Sequence, residues 1–189
     1  HDAPFRTGSV AAEHVHVAED LADREDSLKK YGMPVVHRLD KLGASGAKSL
    51  FIHCVHIDES EMDLIAATNT SVVHNPESNM NNAVGYNTLL PRYSNVVLGT
   101  DGMSADMLEE FRFAFFKHKD AGGPLWPDAY LAALARAGTQ AAALLGIPSL
   151  DLVPGAPADL LHWDYPSPTP LGADNLAGHL AFGLGSRHV

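Results

Sequence analysis

Four short apolar segments recur along the first hundred residues, and each has the length and the β-branched content of a strand. They are VHVA at 15–18, SLFIHCVHI at 49–57, SVVH at 71–74 and NVVLGT at 95–100. In the first segment histidine and valine alternate, so His14 and His16 share one face of the predicted strand while the valines share the other. We therefore predict four strands, of which the first has one polar face.

Helical patterns separate these segments. Over 20–43, acidic residues come early and basic residues late, and a Gly-Met-Pro stretch divides the pattern, which predicts helix, turn and helix. Asp58 can cap a helix whose apolar residues follow at 62–65, and the spacing of apolar residues predicts another helix over 103–120. Strands that alternate with helices pair in parallel, either as an open sheet or as part of a closed barrel.

The remaining residues have a different character. The alanine-rich stretch at 127–146 predicts a helix that is interrupted at Gly138–Thr139, where Thr139 can cap a second short helix. From about Pro148 the chain is rich in proline, and LLHW at 160–163 is its one strand candidate. We therefore divide the chain into residues 1–147, which carry the alternating elements, and residues 148–189, which form a separate small β element.

Composition and charge narrow the class of protein. With 46% hydrophobic and 19% charged residues, the chain is an ordinary soluble globular protein. Its 13 basic and 23 acidic residues give a formal net charge of −10, which disfavours nucleic acid and anionic membrane surfaces as partners. Cys54 is the single cysteine, so an internal disulfide is excluded. The sequence has neither a signal segment nor a long apolar run, and we expect a cytoplasmic protein.

Each predicted strand has a histidine or an aspartate at or near its C-terminal end. These residues are His16, His53, His74 and Asp101. In parallel α/β architectures the strand ends converge on one face, where ligands bind and catalysis takes place. Imidazole and carboxylate suit zinc or iron, so the pattern indicates a metal centre. We interpret His14 as a hydrogen-bonded structural histidine, His56 as a loop or helix-cap residue and Cys54 as a small buried hydrophobe.

Five motifs resemble, in order and in rough spacing, part of the amidohydrolase superfamily. They are HVAE at 16–19, IHCVH at 52–56, VVHNPESN at 72–79, LGTDG at 98–102 and PGAPADLLHWDY at 154–165. The similarity is greatest to the aminohydrolases of the guanine-deaminase and chlorohydrolase branch. It implies an α/β fold in which this chain forms a partial (β/α)8 TIM barrel, strands five to eight, followed by the start of a small β-sandwich element. Because a full barrel needs about 250 residues and the family's first-strand His-x-His pair has no match here, we expect only the second half of the barrel.

The resemblance implies a role for each strand-end residue that it matches. His16 corresponds to the metal-binding histidine of strand five, and Glu19 corresponds to the acid that shuttles a proton to the substrate. His53 corresponds to the strand-six histidine beside the attacking water or the substrate. Asp101 corresponds to the strand-eight aspartate that contacts the metal and takes the proton of the water. The implied cofactor is one divalent metal ion, zinc or alternatively iron.

The implied reaction is the hydrolysis of a C–N bond other than a peptide bond, by deamination of a nitrogen heterocycle of purine or triazine type. Ser78 and Asn79 lie where the family shapes its substrate pocket, and a turn-stabilising role for them is equally open. Two alternatives remain: a binuclear cyclic amidase of the hydantoinase kind, against which Glu19 argues, and a fragment without activity of its own. The expected partner is a small heterocyclic substrate, and a homo-oligomer is left open.

Overall fold

The computed structural model describes residues 13–148 and 152–189 of the chain. At its centre is a four-stranded parallel sheet in which consecutive strands are neighbours. The strands are β1 (Glu13–Val17), β2 (Ser49–His53), β3 (Ser71–His74) and β4 (Val96–Leu98). The predicted α/β fold with a parallel sheet is therefore confirmed. His1 and the other residues of the segment at 1–12 lie outside the described part of the chain.

Helices connect the strands and continue beyond them. They are α1 (Leu21–Tyr31), α2 (Val35–Lys41), α3 (Glu59–Ala67), α4 (Pro76–Asn81), α5 (Met107–Asp120), α6 (Pro127–Leu145) and α7 (Leu176–Phe182), with 3-10 turns at Leu90–Arg92 and Ser186–His188. The predicted helix, turn and helix is confirmed as α1 and α2, because Gly32 ends α1 in the left-handed conformation with a φ of 68°. None of the helices in the described ranges is long and apolar enough to cross a membrane.

Acidic side chains cap the helices that follow β2 and β4. The Asp58 carboxylate accepts the backbone N–H of Glu61 at 3.1 Å, and the Glu61 carboxylate accepts the backbone N–H of Asp58 at 3.0 Å. Asp106 accepts the backbone N–H groups of Leu108 and Glu109. The prediction that Asp58 caps a helix is confirmed, whereas α5 begins later than predicted because Asp106 provides its cap.

Helix α6 runs without interruption, so the predicted break at Gly138–Thr139 is wrong. The Thr139 hydroxyl donates to the carbonyl of Ala135 at 3.3 Å, one turn earlier in the same helix, and does not cap a second helix. A glycine in a helix interior costs only about 1 kcal/mol, which the surrounding alanine-rich turns outweigh. The helix ends at Gly146, whose φ is 66°.

No strand forms in residues 152–189, so the strand predicted at 160–163 is wrong. A strand needs a neighbouring strand with free backbone groups, but the side chains of Trp163 and Tyr165 pack against a cluster formed by α5, α6 and α7. Helix α7, which the sequence analysis did not predict, buries Leu180 and Ala181 in the same cluster. The division of the chain at 147/148 stays a prediction.

The two faces of the sheet pack differently. One face lies against α2 and α3. Its buried strand residues are Val17, Phe51, Val72 and Val96. The other, which we name the inner face, carries Ile52, Val73 and Val97. His16 pairs in register with Ile52, so the polar face of β1 belongs to the inner face.

Gly123 leaves no room for a side chain in the turn between α5 and α6. A Cβ atom built on Gly123 would lie 2.0 Å from Cε1 and 2.2 Å from Nε2 of His118, and the His118 ring is fully buried. We therefore expect Gly123→Ala to lower the free energy of unfolding by about 1–3 kcal/mol, the usual cost of overpacking. Chemical denaturation of the variant and the parent measures this difference.

Gly138→Ala is the matched control, because a Cβ atom built on Gly138 has no neighbour within 4 Å in residues 13–148 and 152–189 apart from its own helix. This glycine lies inside α6, so alanine should raise the free energy of unfolding by roughly 1 kcal/mol. A Gly123→Ala variant that is as stable as the Gly138→Ala variant would contradict the packing described for His118.

Candidate active site

Four polar side chains meet at the edge of the sheet where the strands end. They are His16 from β1, Glu19 from the following loop, His53 from the end of β2 and Asp101 from the loop after β4. His53 Nε2 is at the centre, 3.3 Å from His16 Nδ1 and 3.3 Å from Glu19 Oε2. Asp101 Oδ2 lies 3.8 Å from the same nitrogen. The structure thus brings together the four residues to which the sequence analysis assigned metal binding and catalysis.

Unusual backbone conformations produce this convergence. Ala18, His53 and Asp101 have φ angles of 45°, 68° and 52°, in the left-handed region that residues with a Cβ rarely adopt. Regular alternation along β2 would place His53 on the same face as Phe51, away from His16. The left-handed turn at His53 ends the strand and redirects its ring towards the inner face. Such conformations cost of order 1–3 kcal/mol each and cluster at functional sites.

Helix α4 supports two of these side chains from behind. Asn79 Oδ1 lies 2.8 Å from His53 Nδ1, and the Ser78 hydroxyl donates to Asp101 Oδ2 at 2.6 Å. Because a carbonyl oxygen only accepts, His53 carries its proton on Nδ1, and in the neutral ring Nε2 presents a lone pair to the site. Ser78 and Asn79 are both buried. Each of the two side chains has a hydrogen bond to a site residue, and the predicted role in substrate binding stays a prediction.

Electrostatics favour an ionised carboxylate at Asp101. The hydroxyl of Ser78, by donating a hydrogen bond, holds the pKa of Asp101 below its ordinary value. A backbone N–H of Gly102 and the nearby imidazoles of His53 and His16 act in the same direction. Asp101 is therefore ionised at neutral pH and can accept a proton.

Three of the gathered side chains have the spacing of metal ligands. One ligand atom from each of His16, Glu19 and His53 lies within 4.8 Å of the other two. Imidazole nitrogen and carboxylate oxygen are donors that suit zinc. This set differs from the predicted metal pair of His16 and Asp101, because it lacks Asp101 and contains Glu19 and His53, which were assigned to catalysis. The identity of the ligands therefore stays a prediction, whereas the donor chemistry fits a divalent cation.

A cavity of about 320 Å³ opens on the inner face beside these side chains. Its lining includes His14, His16, Asn75 and Asp101, with Ile52 and Val73 forming an apolar floor. The ring of His14 is exposed, and its centroid lies 6.4 Å from that of His16. A small flat molecule in this cavity would contact both apolar and titratable groups.

His74 does not join the site, although it ends the third strand. It is buried behind the sheet, where its ring packs edge-on to Tyr86 with the centroids 5.8 Å apart. Neither ring nitrogen has a hydrogen-bond partner among the described residues. Burial lowers the pKa of His74 to about 3, so the ring is neutral. The alternation of β3 could have shown this, because Val73 is on the inner face and its neighbour must point the other way.

Two further sequence interpretations concern residues next to His53. Cys54 is buried, and this burial, together with the charge of Glu61, raises the pKa of its thiol. His56 lies in the loop before α3, where its Nε2 is 2.8 Å from the carbonyl oxygen of Val84. Both placements agree with the interpretation of Cys54 as a small buried hydrophobe and of His56 as a loop residue. Asn82, which is not one of the assigned site residues, donates from its side-chain amide to Glu19 at 3.2 Å.

Glu110 is a buried acid behind α4. Its Oε1 accepts the backbone N–H of Glu77 at 3.2 Å, whereas Oε2 has no hydrogen-bond partner in the part of the chain that the structure describes. Burial raises the pKa of Glu110 from 4.5 to about 7. Because the folded state holds this proton more tightly than the unfolded chain, the contribution of Glu110 to stability is fully present below pH 4.5. It is lost as the pH rises through about 7.

Glu110→Gln should remove this loss, because an amide cannot ionise and its oxygen still accepts the bond from Glu77. At pH 8 the variant should exceed the parent in unfolding free energy by roughly 3 kcal/mol, since one pKa unit corresponds to about 1.4 kcal/mol. At pH 4 the two should be nearly equal. Urea unfolding at both pH values measures the difference, and the exposed Glu25 on α1 gives the control variant Glu25→Gln. A Glu110→Gln variant without this gain at pH 8 would contradict the raised pKa.

The chain matches the amidohydrolase family over residues 11–187. It is 36% identical over 185 residues to the 5-methylthioadenosine/S-adenosylhomocysteine deaminase of Pelotomaculum thermopropionicum. This alignment covers 93% of this chain and 42% of that protein. It is also 36% identical over 173 residues to the 5'-deoxyadenosine deaminase of Methanospirillum hungatei. That alignment covers 84% of this chain and 37% of the other protein.

A solved structure resembles the fold closely. The crystal structure of an adenosine deaminase from Xanthomonas campestris with bound zinc superimposes with a TM-score of 0.75 and 27% identity, over 94% of this chain and 42% of that chain. The chain therefore spans less than half the length of the curated relatives and of the solved structure named here.

Proposed function

The chain belongs to the amidohydrolase family, and from this premise we propose that it carries half of the active site of a metal-dependent aminohydrolase. The proposed reaction replaces the amino group of a purine-type heterocycle by oxygen and releases ammonia. The observation that carries the proposal is the placement of two carboxylates, Glu19 and Asp101, within 4 Å of His53 Nε2.

Two carboxylates on one reacting centre can divide the transfer of protons between them. Asp101, whose pKa is held low, accepts a proton from the attacking water and passes it to the departing amino group, which leaves as ammonia, while the proton of the new hydroxyl group returns to Glu19. Glu19 carries a proton to a ring nitrogen of the substrate, which makes the adjacent carbon a better electrophile. His53 donates from Nδ1 to Asn79 and faces the reacting atoms with Nε2.

His16, together with Glu19, His53 or Asp101, would hold the divalent cation that we propose as cofactor, with zinc as the first choice. When bound, such a cation supplies the Lewis acidity that makes water reactive at neutral pH. A mononuclear site leaves Glu19 free to move protons. In the alternative, a binuclear cyclic amidase, more of these side chains would be occupied as ligands.

The names of the relatives support an aminopurine nucleoside as the substrate. Two of them are deaminases of adenosine derivatives that differ at the 5' position of the sugar. The cavity of about 320 Å³ beside His16 and Asp101 has Ile52 and Val73 in its lining, and these apolar side chains suit a flat base. We therefore prefer a purine over a triazine ring.

The fold also supports a proposal about the position of the four strands in a barrel. We propose that β1 to β4 are strands five to eight of a (β/α)8 barrel, and that the segment after 147 leads back to a β-sandwich. Strands β1 and β4 have one neighbour each among the described residues, so each has an edge at which a barrel could continue. In this structure the carbonyl oxygen of Val96, on the β4 edge, accepts hydrogen bonds from the guanidinium of Arg136 at 3.0 and 3.2 Å. A cytoplasmic location and a homo-oligomer stay predictions.

The experiment uses the complete product of the gene that contains this chain. Metal analysis of the purified protein is combined with ammonia release from adenosine, 5'-methylthioadenosine and guanine, before and after treatment with a chelator. We expect one zinc equivalent and chelator-sensitive deamination of an aminopurine. Ring opening of a hydantoin with two metal equivalents would favour the binuclear amidase, and no turnover of any of these compounds would contradict the proposed function.

A further inference from the structure

Helix α4 directs three polar side chains to three different strand ends. Ser78 has a hydrogen bond to Asp101, and Asn79 has one to His53. The third is Asn82, directly after the helix, whose Nδ2 donates to Glu19 Oε1 at 3.2 Å. One short helix and the residue after it therefore orient Asp101, His53 and Glu19, the three groups to which the proposed reaction gives a role besides metal binding.

The two oxygens of the Glu19 carboxyl have different surroundings. Oε1 points to the amide of Asn82, whereas Oε2 lies 3.3 Å from His53 Nε2 and 4.0 Å from His16 Nδ1. A carboxyl group without the amide could rotate about its last bond and exchange the two oxygens. From this arrangement we infer that Asn82 is a positioning residue, which holds the Glu19 carboxyl with Oε2 towards the reacting atoms. The inference rests on the proposed function.

An amide is suited to this task because it donates a hydrogen bond and cannot take the proton away. The oxygen that accepts from Asn82 is engaged as an acceptor, so the proton that Glu19 carries in the proposed reaction sits on the other oxygen, Oε2. Oε2 is the oxygen that faces His53 and His16. A carboxylate at position 82 would repel Glu19, and an apolar side chain would leave its orientation open.

The backbone at Asn82 is held independently of its side chain. The backbone N–H of Asn82 donates to the carbonyl of Ser78 at 2.9 Å, in the last turn of α4, and its side chain is exposed. Beyond Glu19, the side chain contacts the hydroxyl of Ser78 at 3.5 Å and the amide of Asn81 at 3.0 Å. A change of side chain should therefore leave the fold and the metal content intact while it disturbs Glu19.

The test compares three variants of the complete, metal-loaded protein with the parent. Asn82→Asp keeps the shape but replaces the donor by a charged acceptor, and Asn82→Leu keeps the bulk without polarity. We expect both to lower kcat by about tenfold or more, since 1.4 kcal/mol of transition-state stabilisation corresponds to a factor of ten. KM, zinc content and melting temperature should change little. Asn82→Gln restores an amide donor and should retain most of the activity.

The matched control is Asn95→Asp, the same chemical change at the opposite end of the sheet, where the side chain donates to the carbonyl of Asn69. It should leave kcat unchanged. Full kcat in Asn82→Asp and Asn82→Leu, or a loss of kcat that parallels a loss of zinc or of melting temperature, would overturn the inference. A parent protein that deaminates none of the purines would instead overturn the proposed function and with it this inference.

Discussion

Replacing Glu19 by glutamine should lower kcat of the complete protein by at least about 10²-fold, the usual contribution of a general acid–base group. Glutamine has the shape of glutamate and still offers an oxygen to Asn82, but it cannot carry a proton to the substrate. Because the proposed cation can be held without Glu19, zinc content should stay the same. The measurements are steady-state ammonia release and metal analysis of the same preparations.

Glu25→Gln is the matched control, because Glu25 is exposed on α1 and lies outside the site. It should behave as the parent in both measurements. A loss of zinc in the Glu19→Gln variant would show that the cluster of His16, Glu19 and His53 is the ligand set. That result would contradict the role of Glu19 as a proton carrier and favour the binuclear amidase.

Asp101→Asn should be at least as severe, with a loss in kcat of roughly 10²–10⁴-fold. Asparagine can still accept the hydrogen bond that Ser78 now donates to Oδ2, so the local geometry should persist. It cannot, however, take a proton from water, and its neutral oxygen is a weaker ligand for a divalent cation. We therefore expect a loss of turnover together with a lower affinity for zinc, measured by competition with a chelator.

The control for this change is Asp63→Asn on the exposed side of α3, which should alter neither turnover nor zinc affinity. An Asp101→Asn protein with parent-like turnover would contradict the assignment of Asp101 as the proton acceptor. Unchanged zinc affinity with lost turnover would leave Asp101 as a base but would contradict its predicted contact with the metal.

Local patterns were sufficient to predict most elements of the fold. The β-branched runs specify the four strands, and the cap at Asp58 is a contact between neighbours in the sequence. The predictions failed where local preferences compete with wider context. Thr139 is a good cap residue but remains in the middle of α6, and the 160–163 segment has strand-like residues but no strand beside it.

The site could be assigned in part from the sequence, because the motifs around His16, Glu19, His53 and Asp101 resemble those of a known family. The residue types and the parallel strands were enough to expect that these ends meet. Alternation along β2 would have placed His53 on the wrong face, and its position at a strand end would by itself have placed His74 in the site. The left-handed φ of 68° at His53 reverses the first expectation, and the burial of His74 behind the sheet reverses the second.

The sequence by itself thus determined most of the elements of this protein, its family and the chemical types gathered at the strand ends, because these depend on short-range patterns and on motifs. Only the tertiary structure decided which atoms face one another. The contact between Asn82 and Glu19 joins residues 63 positions apart, and the packing of α7 against α5 depends on surfaces that exist only after the chain has folded. Such contacts follow from the geometry of packing between distant segments, which no local preference encodes.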